Sequence, residues 1–253
     1  MNVALATGST CVSIKRFPYR IWLISLAGWM FDFYDLVLFS FLLVPISRDL
    51  ALTRLQETTL LGIVLGGSGV GGVLFGYLSD RYGRRSVMTW TILVYSIGTA
   101  LTALSDGFWT VLFFRLVTGL GVGGEWAVGH ALLAESTPQH LRGRASALLQ
   151  AGEPVGVGLA AVTGFLLAPL IGWRVVFLLS SVTALLVFLV RSYLPESELW
   201  LEQKEERLSP LRTLRLISRY GLVCTTLKGF LLGVFKLGTY WRQRREKPAR
   251  SSE

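Results

Sequence analysis

Six long apolar runs, each of a length that can cross a bilayer, dominate the chain and leave few folds open to it. They cover 21–44, 59–79, 86–105, 108–134, 146–170 and 173–194. A membrane span needs roughly 20 apolar residues, and a backbone in lipid must satisfy its own hydrogen bonds, which favours helices. We therefore predict an all-α membrane protein with six transmembrane helices, arranged as two three-helix inverted repeats.

The charge distribution points to the same class of protein. Hydrophobic residues make up 52% of the chain and charged residues 16%, and the mean hydropathy is +0.53, which is typical of a multi-span protein. With the N-terminus in the cytoplasm, fourteen basic residues fall on the inner side and three on the outer side. This asymmetry follows the positive-inside rule. The net charge of +9 therefore reflects membrane topology and predicts no nucleic-acid partner. We predict an integral protein of an inner or plasma membrane, with lipid around it and a cytoplasmic N-terminus.

Four segments follow from these runs. They are a cytoplasmic N-terminus (1–20), a six-helix transmembrane bundle (21–194), a charged cytoplasmic linker (195–219), and an incomplete seventh helix with a basic tail (220–253). Lys228 and Lys236 interrupt the last apolar run, and each costs about 2.5–3.5 kcal/mol at mid-bilayer. We expect a truncated or frame-shifted helix that stays at the inner interface. A true seventh span and a regulatory basic tail are the alternatives.

A densely charged turn separates the second and third runs. Residues 76–85 read G-x-x-x-D-R-x-G-R-R, and charge of this density must lie at a membrane face. The string closely resembles the signature between the second and third helices of the major facilitator superfamily of transporters. Span two also carries glycine pairs four residues apart, at 62/66, 67/71 and 72/76. Such pairs predict close helix packing.

The resemblance extends from about residue 20 to residue 201. Phe33-Tyr34-Asp35 is similar to an element in span one of proton-coupled sugar and carboxylate symporters, and Arg115-x-x-x-Gly119-x-Gly121-x-Gly123 is similar to their span-four motif. In that group the matching Asp and Arg form a pair that takes part in proton coupling. The strings at 123–126 and 135–144 resemble the metabolite:proton symporters, and 195–201 resembles the segment after span six of sugar porters.

Ionisable residues inside spans are costly and therefore indicate a functional site. Asp35 lies about 13 Å, and Arg115 about 10 Å, from the outer ends of their spans at 1.5 Å per residue. We expect the two to pair if their helices are neighbours, with Asp32 one turn deeper. The hypothesis is a proton-coupling group of Asp32, Asp35 and Arg115, in which proton uptake follows conformation. The alternative is a static ion pair that fixes helix register.

A second set of span residues is predicted to line the substrate pathway: Tyr34, Glu125, Trp126 and Glu153. Glu125 and Glu153 lie at one depth, so adjacent carboxyl groups there would share a proton. Otherwise Glu153 binds backbone or a polar neighbour, and its position before Pro154 predicts a kink. The aromatic side chains either line the pathway or simply pack.

A third set lies at the inner membrane face. The resemblance implies that these charged residues and glycines form a latch for the outward-facing state, and positive-inside anchoring is the alternative. The set contains Gly76, Asp80, Arg81, Gly83, Arg84, Arg85, Glu135, Arg142 and Arg144.

Together, these features predict the N-terminal half of a proton-coupled symporter that moves a small polar metabolite, an organic acid or a sugar, by alternating access. We expect no cofactor other than the coupled proton, and no metal, because His130 and His140 stand alone. No catalytic set lies at one membrane face, so the chain is predicted not to be an enzyme. The alternative is a truncated half-transporter that is inactive alone or works only with a second copy.

Overall fold

The computed structural model describes residues 19–191, 196–197, 200–201 and 228. By backbone contacts the chain divides into two units, Met1–Gln203 and Lys204–Glu253. Apart from Lys228, which is helical, the described residues belong to the first unit. Apart from Lys228, the predicted seventh helix lies outside the described residues, as does most of the linker.

The regular structure of the described residues is entirely helical, which confirms the all-α class. Six helical segments coincide with the six apolar runs, the fifth being divided into shorter pieces. The helices are α1 (Tyr19–Asp49), α2 (Arg54–Tyr82), α3 (Arg84–Thr102), α4 (Phe108–Ser136), α5 (Arg142–Gln150), α6 (Gly152–Val162), α7 (Ala168–Ile171) and α8 (Trp173–Arg191).

Four segments of the described chain are long and apolar enough to cross a membrane by length and composition: Ile21–Asp49, Arg54–Tyr82, Phe108–Ser136 and Gln139–Ile171. Helix α3 falls short of this criterion because it begins with two arginines and carries several buried hydroxyl groups. Most of those hydroxyls donate to carbonyls of α3 itself, as at Thr91, Ser96 and Thr102, whereas Thr99 donates to Asp35 on α1. The arrangement of the six segments as inverted repeats stays a prediction.

Local sequence signals set the ends of α2. At its start, the Thr53 hydroxyl accepts from the Gln56 backbone N–H and the Gln56 side chain accepts from the Thr53 N–H at 2.8 Å, a capping box. At its end, Gly83 has φ of 106°, a conformation that glycine adopts without steric cost. This glycine turns the chain directly into α3.

Glycines allow α2 and α4 to pack closely. A side chain at Gly71 would overlap the Leu120 carbonyl, and one at Gly123 would overlap that of Ser68. At Gly62 and Gly66, by contrast, an added Cβ would lie within 4 Å of no atom of another described helix. The predicted pair 67/71 thus lies in the α2–α4 contact, and 62/66 does not.

The fifth segment is broken twice. Its first interruption is at Ala151, so that Pro154 falls in the first turn of α6, where a proline removes no helical hydrogen bond. The second is a π-helical stretch, Thr163–Leu167. Such stretches are rare and are frequently found at functional sites.

Candidate functional site

Two opposite charges meet inside the bundle. Arg115 Nη1 on α4 lies 3.4 Å from Asp35 Oδ2 on α1, and the two side chains are 0% and 5% exposed. The two depths estimated from the sequence agree with this contact. The arrangement is a desolvated ion pair in the membrane-spanning part of the protein.

Groups on other helices hold both members of the pair. Thr99 on α3 donates to Asp35 Oδ1 at 3.0 Å, and Arg115 Nε donates to Thr102 Oγ1 at 3.2 Å. The rings of Phe39 and Phe177 lie 4.7 and 4.9 Å from the guanidinium carbon, a distance suited to cation–π attraction. The sequence analysis did not predict these two threonines and two phenylalanines. The three-residue spacing of Thr99 and Thr102 puts both on one helix face, and this spacing is the sequence feature that could have indicated them.

Burial makes each charge of the pair depend on the other. The ion pair offsets the cost of burying both charges. Without one partner, the remaining charge would be uncompensated in a low-dielectric site.

The other acids in the spans differ in burial. Asp32 and Glu125 are 0% and 3% exposed, so each lies in the interior of the bundle. Glu153 is partly exposed in the first turn of α6, and among the described residues it has no hydrogen bond or ion pair. Within the described part of the chain, no hydrogen bond therefore joins Glu153 to Glu125.

The predicted aromatic pathway residues lie in two separate places. Trp126 stacks on Phe33 with ring centres 5.5 Å apart and packs against Trp29 at 5.6 Å. The Tyr34 hydroxyl instead meets Ser180 on α8 at 3.0 Å and Thr163 at the start of the π-helix at 3.5 Å. Tyr34 thus ties α1 to the π-helical stretch, while Trp126 belongs to an α1–α4 aromatic cluster.

A second charge cluster lies at the α2–α3 turn, and Arg84 is its centre. Arg84 Nη2 lies 2.8 Å from Glu135 Oε1 on α4, and Nη1 lies 2.6 Å from Asp80. The Ser79 hydroxyl also accepts from Nη1. We call Asp80, Arg84 and Glu135 the turn cluster. It joins the end of α2, the start of α3 and the end of α4.

The neighbouring residues of the turn have other contacts. Arg81 is exposed, with its guanidinium 5.7 Å from the Tyr82 ring, and the Gly76 carbonyl accepts from a hydroxyl on the same helix. The backbone N–H of Arg85 donates to Glu196 at 3.1 Å. A side chain at Gly83 would overlap that same carboxylate.

The α4–α5 connection does not enter the turn cluster. Arg142 and Arg144 are both exposed. Arg142 Nε donates to the Thr137 carbonyl at 3.1 Å, and Arg144 has no ion pair with a described residue. The sequence predicts that Arg142 and Arg144 belong to the latch. It did not indicate Trp200, whose Nε1 donates to the Asp80 carbonyl at 3.0 Å.

Comparison with known proteins identifies the family. Residues 23–242 match the family model described as the Major Facilitator Superfamily. The chain belongs to the major facilitator superfamily. Its members are transporters and not enzymes, as the sequence predicted, and the chain is an integral membrane protein.

In similar members of the superfamily, the part that matches this chain is about half of the protein. A putative metabolite transport protein of Haemophilus influenzae is 40% identical over 196 residues, which cover 78% of this chain and 48% of that protein. The sialic acid transporter NanX of Escherichia coli is 34% identical over 190 residues, covering 75% and 46%. The chain thus spans about half the length of these relatives and corresponds to an N-terminal half.

Solved structures show the same fold. The proton:xylose symporter XylE, bound to 6-bromo-6-deoxy-D-glucose, superposes with a TM-score of 0.67 at 24% identity, over 75% of this chain and 48% of that one. The superfamily fold is therefore shown by sequence and by structure.

Proposed function

We propose that the chain forms the N-terminal half of a proton-coupled symporter that moves a small polar metabolite, an organic acid or a sugar, by alternating access. The observation that carries this proposal is the desolvated Asp35–Arg115 pair, 3.4 Å apart. An ionisable group at this depth is expensive and is usually functional. The relatives support the substrate range, since one is named for sialic acid and one solved structure for proton and xylose.

In this mechanism Asp35 is the proton-binding group. Ionised, it accepts from Thr99 and pairs with Arg115, which fixes α1 against α3 and α4. Protonated, it no longer attracts the guanidinium, and the helices can adopt a second arrangement. A proton bound on one side of the membrane would thus favour the conformational change that carries it across.

The turn cluster is the second element of the proposed transport cycle, in which it stabilises one conformation. Arg84 ties Glu135 to Asp80 at one end of the bundle, and we propose that these contacts hold one conformation until the buried pair changes. Asp32, Glu125 and Trp126 would lie along the path between the two sites. Their roles, like that of Glu153, stay predictions.

An uptake assay tests the proposal. The chain is reconstituted in proteoliposomes, and a radiolabelled organic acid (benzoate) and a radiolabelled sugar (xylose) are offered separately with an inward proton gradient. We expect accumulation of one of the two that collapses with the gradient, and a loss of at least tenfold in Asp35→Asn. Asp49→Asn is the matched control, because Asp49 lies on the same helix and pairs with Arg174, but is 45% exposed. Uphill accumulation by Asp35→Asn at the control's rate would overturn the proposal.

The same assay distinguishes the alternative of two cooperating copies. If uptake requires a second copy of the half-transporter, the rate per protein will fall as the protein-to-lipid ratio is lowered. A rate that is constant on dilution would exclude such a pair.

A further inference from the structure

A cavity of about 220 Å³ opens between α1 and α2 and reaches the buried arginine. It is lined by Leu36, Phe39, Ser40, Leu61, Val64, Leu65 and Arg115. Six of these residues come from α1 and α2, and only Arg115 comes from α4. An apolar cavity of about 150 Å³ is large enough for benzene, so this one can hold a small organic molecule.

The wall of the cavity is mostly apolar. Only Ser40 and Arg115 contribute polar side chains, and the other lining residues are aliphatic or aromatic. Arg115 is fully buried, and two of its three guanidinium nitrogens donate to Asp35 and Thr102. The third, Nη2, has no hydrogen-bond partner among the described residues. A buried donor without a partner costs free energy and favours a ligand that supplies an acceptor.

We propose that this cavity binds a small carboxylate with an apolar body, its carboxylate facing Arg115 and its body lying among Leu61, Val64 and Leu65. The inference rests on the proposed transport function and narrows its substrate class. Guanidinium–carboxylate hydrogen bonds are among the stronger ones in proteins. A sugar is a poor fit, because most of its hydroxyl groups would be buried against leucine, valine and phenylalanine without partners.

The arrangement also gives a direct route from proton to substrate. Asp35 and the ligand carboxylate are alternative counter-ions of the same guanidinium. When Asp35 is neutral, the whole positive charge of Arg115 is available to the ligand carboxylate. When Asp35 is ionised, the two carboxylates compete for that charge. Binding of a proton and binding of the acid therefore favour each other.

A binding measurement on the chain tests this, because α1, α2 and α4 form the whole cavity. The chain is placed in lipid nanodiscs and titrated calorimetrically with benzoate, with benzyl alcohol as a neutral analogue, and with xylose. We expect saturable benzoate binding that is at least tenfold tighter than that of benzyl alcohol, and no xylose binding. Asp35→Asn should bind benzoate at least threefold more tightly, whereas a merely structural Asp35 would not improve binding when removed.

Two tryptophan variants on α2 locate the site. Leu65→Trp fills the mouth of the cavity, whereas Val73→Trp, two turns further along the same helix, lies outside it; the two positions are 59% and 77% exposed. We expect a loss of at least tenfold in benzoate affinity for Leu65→Trp and a change below twofold for Val73→Trp.

The outcomes separate this inference from the transport proposal. Absence of saturable benzoate binding, equal affinities of the two tryptophan variants, or saturable xylose binding that Leu65→Trp abolishes would each overturn the carboxylate site. None of these results affects proton-driven uptake. If benzoate binds as expected but uptake does not depend on the proton gradient, the proposed proton coupling is wrong and the proposed carboxylate site is supported.

Discussion

The molecule contains two ion-pair sites on α4 that differ in their access to water. At the buried pair, Arg115 and Asp35 are 0% and 5% exposed. In the turn cluster, Arg84 and Glu135 are 15% and 22% exposed, and Asp80 is 65% exposed. Water can replace a lost partner in the second site but not in the first. An ion pair of the same chemistry therefore depends strictly on its partner in one place and is adjustable in the other.

The largest effect is expected from breaking the buried pair on one side. Arg115→Gln leaves the Asp35 carboxylate buried without its cation, which typically costs about 3–5 kcal/mol. We expect a large fall in the melting temperature of the detergent-solubilised chain. Adding Asp35→Asn should restore much of it, because no charge then remains to be buried.

The control for this experiment is Arg174→Gln, which removes a cation that pairs with Asp49 in an exposed position. Its melting temperature should stay close to that of the unmodified chain. Equal losses in the two arginine variants would show that burial does not distinguish the two ion pairs.

Sequence reasoning could predict the buried pair because helix geometry is fixed. At 1.5 Å per residue, counting from the span ends placed Asp35 and Arg115 at one level. Counting residues does not show how each helix is rotated about its axis, and it does not show which helices are neighbours in the bundle. Thr99, Thr102 and Phe177 come from α3 and α8, and their place around the pair depends on that order.

The end of the bundle that carries the turn cluster shows a second limit. The sequence predicts that the basic residues of the turns at 76–85 and 135–144 lie on one side of the membrane, but sharing a side does not make residues adjacent. Arg84 meets Glu135 because α3 begins beside the end of α4. Arg142 and Arg144 lie beyond a 3₁₀ turn and face outward. A pattern of charge indicates membrane topology, whereas contacts depend on packing.

A middle-sized effect is expected at the α2–α4 contact, because α4 carries both Arg115 and Glu135. Gly71→Ala would place a methyl group against the Leu120 carbonyl, and such overpacking typically costs about 1–3 kcal/mol. Pushing α4 away should weaken both ion-pair sites together. Thermal unfolding measures the stability, and the uptake assay measures the function.

Gly62→Ala is the matched substitution on the open face of α2, where an added Cβ meets nothing within 4 Å. Replacing a helical glycine by alanine there should be neutral or stabilising by up to about 1 kcal/mol. If both alanine variants lost the same stability, close approach of the two backbones would not be what these glycines provide.

The smallest effect is expected within the turn cluster and separates its two acids. Double-mutant cycles of Arg84→Gln with Glu135→Gln and with Asp80→Asn measure each coupling by thermal unfolding. For the exposed Asp80 we expect about 0.2–1 kcal/mol, falling further as salt rises, because exposed charges are screened. The coupling to Glu135 should be larger and less sensitive to salt, since its side chain is only 22% exposed. Equal couplings with equal salt dependence would mean that the turn cluster behaves as a surface site throughout. Its contacts would then be too weak to hold one conformation against the buried pair.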